Sequence, residues 1–172
     1  YDKVWELIDA LPETDDICYS IDFGFNAPSA VVKIATKDEE PYIQQLLYQT
    51  KLTNSDLIEK LKTLIPEAER DKDIFCDSAE PDRIKEICDA GFNARSSDKE
   101  VKAGIDHIKS LKVRVTKDSP DIIKEKNSYS YRKDKDGHVI DDPVKFNDHF
   151  MDAIRYALWT RHSVHGPTMR WI

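Results

Sequence analysis

The stretch Ile17-Cys18-Tyr19-Ser20-Ile21-Asp22-Phe23 reads as a buried strand with a carboxylate at its end, running into the turn residues Gly24, Asn26 and Pro28. Past that turn, residues 29–35 (SAVVKIA) make a second strand rich in Val and Ile. Residues 37–41 are a polar turn, and residues 42–48 a third strand. Three strands joined by short connections predict an antiparallel meander. Upstream, Val4, Leu7, Ile8 and Leu11 share a helical stripe until Pro12. Residues 1–14 therefore read as a short helix and linker remnant, and residues 15–172 as one domain.

Downstream the period changes. Thr53 or Asn54 caps a helix carrying Leu57, Ile58, Leu61, Leu64 and Ile65, stopped before Pro66. Residues 73–77 form a short buried strand. Pro81 opens a helix with Ile84, Ile87 and Cys88 inward, ending at Gly91. Residues 92–94 make another strand, residues 98–110 a helix with Val101, Ile105 and Ile108 inward, and residues 111–115 an alternating strand. This strand–helix alternation adds parallel strands to the meander. The result is an α/β chain with a central mixed sheet flanked by helices. Residues 128–132 and 137–140 flank Lys133-Asp134-Lys135-Asp136-Gly137, a β-hairpin with Asp-Gly in its turn. Asp148 then caps a last helix reaching about residue 161.

The chain has 172 residues, of which 34% are charged and 40% hydrophobic, which suits one domain and excludes disorder. No apolar run approaches the roughly 20 residues that span a bilayer, and no signal-peptide pattern opens the chain. Cys18, Cys76 and Cys88 are odd in number and form no CxxC, so they read as reduced, buried residues of an intracellular protein. The net charge of −7 hides a segregation: residues 95–135 hold 12 Lys+Arg against 7 Asp+Glu, leaving the remainder at −12. A basic segment in an acidic chain fits a phosphate-facing surface beside carboxylates that need a cation; a solvated lysine face is the other reading.

Three aspartates stand out. Asp22 and Asp77 each end an apolar run, where an ionised carboxylate is expensive unless it is paired or bound to metal. Either one taken alone also fits a turn or cap. The Asp22-Phe23-Gly24 string lacks the Gly-rich loop, HRD and APE of a kinase. Asp152 lies inside the last helix, where Asp has poor propensity, with His149 three residues before it and Tyr156 four after. That face is either a site or a solvent stripe of His149, Asp152, Arg155 and Tyr156. Three carboxylates meeting at one sheet edge repel one another strongly. Two Mg²⁺ or Mn²⁺ ions roughly 4 Å apart would relieve the repulsion and clamp both oxygens of an in-line phosphodiester displacement.

Four stretches together resemble one family. They are Ser20-Ile21-Asp22-Phe23-Gly24-Phe25, Cys76-Asp77-Ser78-Ala79-Glu80-Pro81, Val101-Lys102-Ala103-Gly104-Ile105 and Asn147-Asp148-His149-Phe150-Met151-Asp152-Ala153-Ile154-Arg155-Tyr156-Ala157. In order and spacing the chain is similar, over roughly residues 15–162, to the C-terminal nuclease domain of the large terminase subunit of tailed bacteriophages and prophages. The last stretch is the most specific. The resemblance implies a ribonuclease H-like fold, with Asp22, Asp77 and Asp152 as metal-binding catalytic acids and His149 as their neighbour. It implies a Mg²⁺- or Mn²⁺-dependent endonuclease that cuts concatemeric double-stranded viral DNA during packaging. The implied partners are a small terminase subunit and a portal protein, and the implied place is the host cytoplasm at the procapsid portal. Full-length members also carry an N-terminal packaging ATPase; no GxxxxGK[ST] occurs here, so that half is absent and residues 1–11 would be a remnant of the linker to it.

Lys99 and Lys102, on the helix predicted after Asp77, are candidates for phosphate contacts, as are Arg132, Lys133 and Lys135 on the hairpin with Tyr129 and Tyr131. Plain solvated charge is the competing account. Without an evident base-reading helix, DNA would be held with little sequence preference. Two further classes stay open: a catalytically silent DNA or portal docking module, and another ribonuclease H-like nuclease such as a transposase or junction resolvase.

Overall fold

A computed structural model describes residues 5–128, 131–133, 135–143 and 148–164. Its first element is a strand, β1 (Glu6–Ile8), where the sequence predicted a helix over residues 1–10. Leu7, which the helical stripe would place inward, is 49% exposed, while Trp5, outside that stripe, is buried. The backbone of β1 pairs in parallel with Arg114–Thr116, and the Arg114 guanidinium donates to the Glu6 carboxylate at 3.1 Å. So remote a pairing overrides a weak local periodicity.

The meander follows as expected: β2 (Ile17–Asp22), β3 (Ser29–Lys37) and β4 (Glu40–Gln49), each antiparallel to the next. Thr53 then caps α1 (Asn54–Leu64) in a reciprocal box with Asp56. β5 (Asp73–Cys76), α2 (Pro81–Asp89), β6 (Asn93–Ser96), α3 (Val101–Ser110) and β7 (Arg114–Thr116) supply the alternation. β5 lies parallel to β2, β6 parallel to β5, and β7 parallel to β4. The seven strands form one mixed sheet in the order β1-β7-β4-β3-β2-β5-β6. Next come α4 (Pro120–Ser128), the antiparallel pair β8 (Tyr131–Lys133) and β9 (Val139–Pro143), and α5 (His149–Val164). The hairpin before the last helix is thus present.

Both faces of the sheet are covered. Cys18, Val32, Ile34 and Phe75 face the helix side built by α4 and α5, whereas Tyr19, Ile21, Val31 and Cys76 face α1 and α2. β2 lies near the middle of the sheet with two buried faces, which explains its unbroken apolar run. Cys18 and Cys76 are buried free thiols; Cys88, expected inward, lies at the surface of α2. Among the described residues no helix is long and apolar enough to cross a membrane.

Candidate active site

The parallel pairing of β2 with β5 sets the site. Ile21 lies beside Cys76, so the next residue of each strand, Asp22 and Asp77, leaves the sheet at the same level. This is the carboxyl edge of adjacent parallel strands, where open α/β sheets gather functional groups. Strand alternation turns Asp22 toward the α5 side, because Ile21 belongs to the opposite layer. There His149 Nδ1 lies 3.0 Å from Asp22 Oδ2, and the Tyr156 hydroxyl lies 3.5 Å from Asp22 Oδ1.

Asp22 is only 8% exposed. Burial pushes its carboxyl up to about 6, the His149 hydrogen bond opposes that rise, and the charges of Asp152 and Asp77 add to it. Asp77 and Asp152 thus stand close enough for their charges to act on Asp22. His149 is shifted upward in turn, first by its hydrogen bond to Asp22. The helix face is therefore not a solvent stripe: Arg155 and Tyr156 are buried, and His149 and Asp152 are half-buried.

The other two carboxylates are held by cations. Asp77 accepts from the Ala79 amide at 2.8 Å and pairs with Lys99. Asp152 pairs with Arg155 at 2.6 Å, and Arg155 also donates to the Lys99 carbonyl at 3.2 Å. One strap, residues 97–100, so links both. Lys99 sits in this strap ahead of α3, not on a helix as predicted; β6 intervenes after α2, and α3 begins only at Val101. Lys102 lies in the first turn of α3, with its side chain exposed. Arg132 and Lys133 fall on β8, whose side chains lie outside the described residues, as does Tyr129. Lys135 is exposed in the hairpin turn. Among the described residues no three His, Cys, Asp or Glu side chains already share one metal-bonding point. The donor types nevertheless fit a hard divalent cation: carboxylate oxygens with one imidazole nitrogen.

Gly104 lets α3 approach α5. A Cβ there would stand 2.7 Å from Arg155 Cγ and 2.9 Å from Arg155 Cδ. Because Arg155 is 3% exposed, it has little room to retreat. Gly104→Val is expected to push the guanidinium off Asp152 and lower stability by about 1–3 kcal/mol. Urea unfolding checks this, and a wild-type midpoint would refute the packing argument.

Residues 22–159 match the family described as the terminase RNase H-like domain. The chain belongs to this family. Among curated proteins, this terminase domain is 32% identical over 145 residues to the PBSX phage terminase large subunit of Bacillus subtilis (strain 168), covering 80% of the chain and 33% of that protein. It spans about a third of that relative's length. Among solved structures, it resembles the large terminase nuclease domain of bacteriophage SPP1 with bound manganese (TM-score 0.74, 22% identity, 89% of this chain and 94% of that one). It also resembles the large terminase of the thermophilic bacteriophage D6E (TM-score 0.76, 20% identity, 92% of this chain and 43% of that one). These two likenesses are of fold.

In this terminase domain α4 and its Glu125 are not among the elements and site residues that the sequence predicts. That carboxylate is 3% exposed and accepts from the amides of Phe150 at 2.7 Å and Met151 at 3.2 Å, the opening turn of α5. The Tyr48 hydroxyl donates to its other oxygen at 3.0 Å, and the Tyr48 ring stacks on Phe150 at 4.9 Å. Glu125 therefore caps α5 from another helix, next to His149. One signal was available: Ser119 followed by Pro120 is a helix start.

Proposed function

We propose that this chain is a single nuclease domain of a phage large terminase, a metal-dependent endonuclease that cuts concatemeric double-stranded DNA with little sequence preference. The observation that carries the reading is the level pairing of Asp22 and Asp77 on adjacent parallel strands, with His149 of α5 on Asp22 and Asp152 close by. Asp22, Asp77 and Asp152 would hold two Mg²⁺ or Mn²⁺ ions, which when bound acidify the attacking water and stabilise the leaving 3′ oxygen. His149 keeps a proton between Nδ1 and Asp22 and so orients that carboxylate; the ring's Nε2 remains its second proton site. Tyr156 supports the same carboxylate from two turns further along α5. Lys99, Lys102, Arg132, Lys133 and Lys135 supply phosphate contacts, which make binding salt-dependent.

On this reading the segment before residue 15 leads from an N-terminal packaging ATPase, and choice of cutting site falls to a small terminase subunit and a portal protein. The work is done in the host cytoplasm at the procapsid portal. Supercoiled plasmid incubated with the chain and Mn²⁺ or Mg²⁺ should give nicked and linear products, lost on chelation. Asp77→Ala should abolish cutting with an unchanged circular dichroism spectrum. Continued cutting by that variant would refute the site, and salt-sensitive binding without any cleavage would identify a docking module instead.

A further inference from the structure

Phe25 is one of three large hydrophobic side chains exposed among the described residues, and the only aromatic of them. It stands three residues past Asp22, on the turn between β2 and β3. A lone exposed apolar residue is ordinary. This one is held in place by its surroundings. Gly24 is wedged so tightly that a Cβ would lie 2.4 Å from the Ala27 and Pro28 carbonyl oxygens. The buried Ser29 hydroxyl accepts from the Gly24 amide at 3.1 Å and donates to the Gly24 carbonyl at 3.0 Å. From the end of the meander, the Lys51 amide donates to the Phe25 carbonyl at 2.6 Å. Lys51 has a left-handed φ of +62°, a strained conformation for a side chain of its size. Its ammonium lies 5.2 Å from the Phe25 ring centroid and is steered by Asn26. Behind this pair, Arg83 lies 4.5 Å over the Phe23 ring and is anchored on Asn54 at 3.2 Å.

A rigid turn thus presents an aromatic face and a cation at the rim of the carboxylate site. The backbone of a DNA duplex fits that chemistry: the ring packs on the apolar face of a sugar without reading sequence, and the ammonium neutralises a phosphate. Three residues of chain keep the Phe25 backbone within roughly 10 Å of that of Asp22. That span covers at most about three nucleotides along one strand. We propose that Phe25 and Lys51 form a DNA-gripping element that holds the duplex beside the scissile phosphate. This rests on the nuclease reading for the position of that phosphate, but the contact itself is tested by binding.

The test is fluorescence anisotropy of a labelled 30-base-pair duplex in EDTA across a salt series, with plasmid cutting in Mn²⁺ run in parallel. Phe25→Ala should weaken binding about fivefold or more on every duplex, with an unchanged salt slope, and Phe25→Trp should restore it. Lys51→Ala should weaken binding and reduce the salt slope by about one. Neither side chain lies in the core, so both variants should keep the wild-type melting temperature. If the wild type cuts and both variants bind as it does, the gripping element is refuted and the nuclease reading survives. If the wild type binds duplex but does not cut, the nuclease reading fails and the binding arms still judge Phe25 and Lys51. A wild type that binds no duplex overturns the gripping element, and the plasmid arm alone then judges the nuclease reading.

Discussion

Replacing Asp22 with Asn is expected to abolish cutting while making the chain harder to unfold at pH 8. The two effects share one cause. An isosteric amide fills the same space among β2, His149 and Tyr156 but carries no charge to hold a cation. Loss of several kcal/mol of charge stabilisation at the reacting phosphate corresponds to a rate fall on the order of a thousandfold. Stability moves the other way because burial raises the carboxyl from its ordinary 3.8 to about 6. The folded chain keeps a proton there that the unfolded chain has already released. The stability this proton confers is complete below about pH 4 and is lost as the pH climbs through about 6. Asn carries no such dependence. Urea unfolding should show wild type and variant nearly equal at pH 4, with the variant ahead by about 1–3 kcal/mol at pH 8. Added Mn²⁺ should reverse the order, because it stabilises only the chain that binds it. A variant that still cuts would remove Asp22 from the site; one less stable at pH 8 would refute the buried-charge argument.

Glu125→Ala should be among the most destabilising single changes, costing about 2–4 kcal/mol. It leaves the Phe150 and Met151 amides and the Tyr48 hydroxyl without their acceptor in a buried place. The opening turn of α5 would fray, and with it the placement of His149 against Asp22, so cutting should also fall by tenfold or more. Glu125→Gln keeps one oxygen for the two amides and should cost about 1 kcal/mol. Wild type and the Gln variant also differ in pH response. Burial pushes the Glu125 carboxyl up to about 7 from its ordinary 4.5, against the pull of its three donors. Its protonated form therefore stabilises the fold fully below about pH 4.5, and that contribution disappears as the pH rises through about 7. The advantage of wild type over Gln should shrink across that interval. Equilibrium unfolding at pH 5 and pH 8 measures it, and a gap that widens with pH would reverse the assignment of Glu125 as the raised group.

Strand order along the meander, the two aspartates at strand ends and the extent of the last helix could all be read from residue order, because each is written in a local pattern. The run Ile17–Asp22 is apolar throughout since both its faces are buried, and the helix from His149 alternates at helical spacing. Three features had no such mark. Residues 6–8 pair with a strand 108 positions away, a contact that leaves only three extended residues as its trace. Lys99 meets Asp77 only because β6 and α3 lie where the strap can reach across. Glu125 is one acid among many in the sequence, and becomes a helix cap only when α4 packs against the start of α5. Periodicity and turn chemistry act over a few residues and so survive in one dimension. The partner of a buried charge is chosen by packing, which brings together groups that residue order keeps apart.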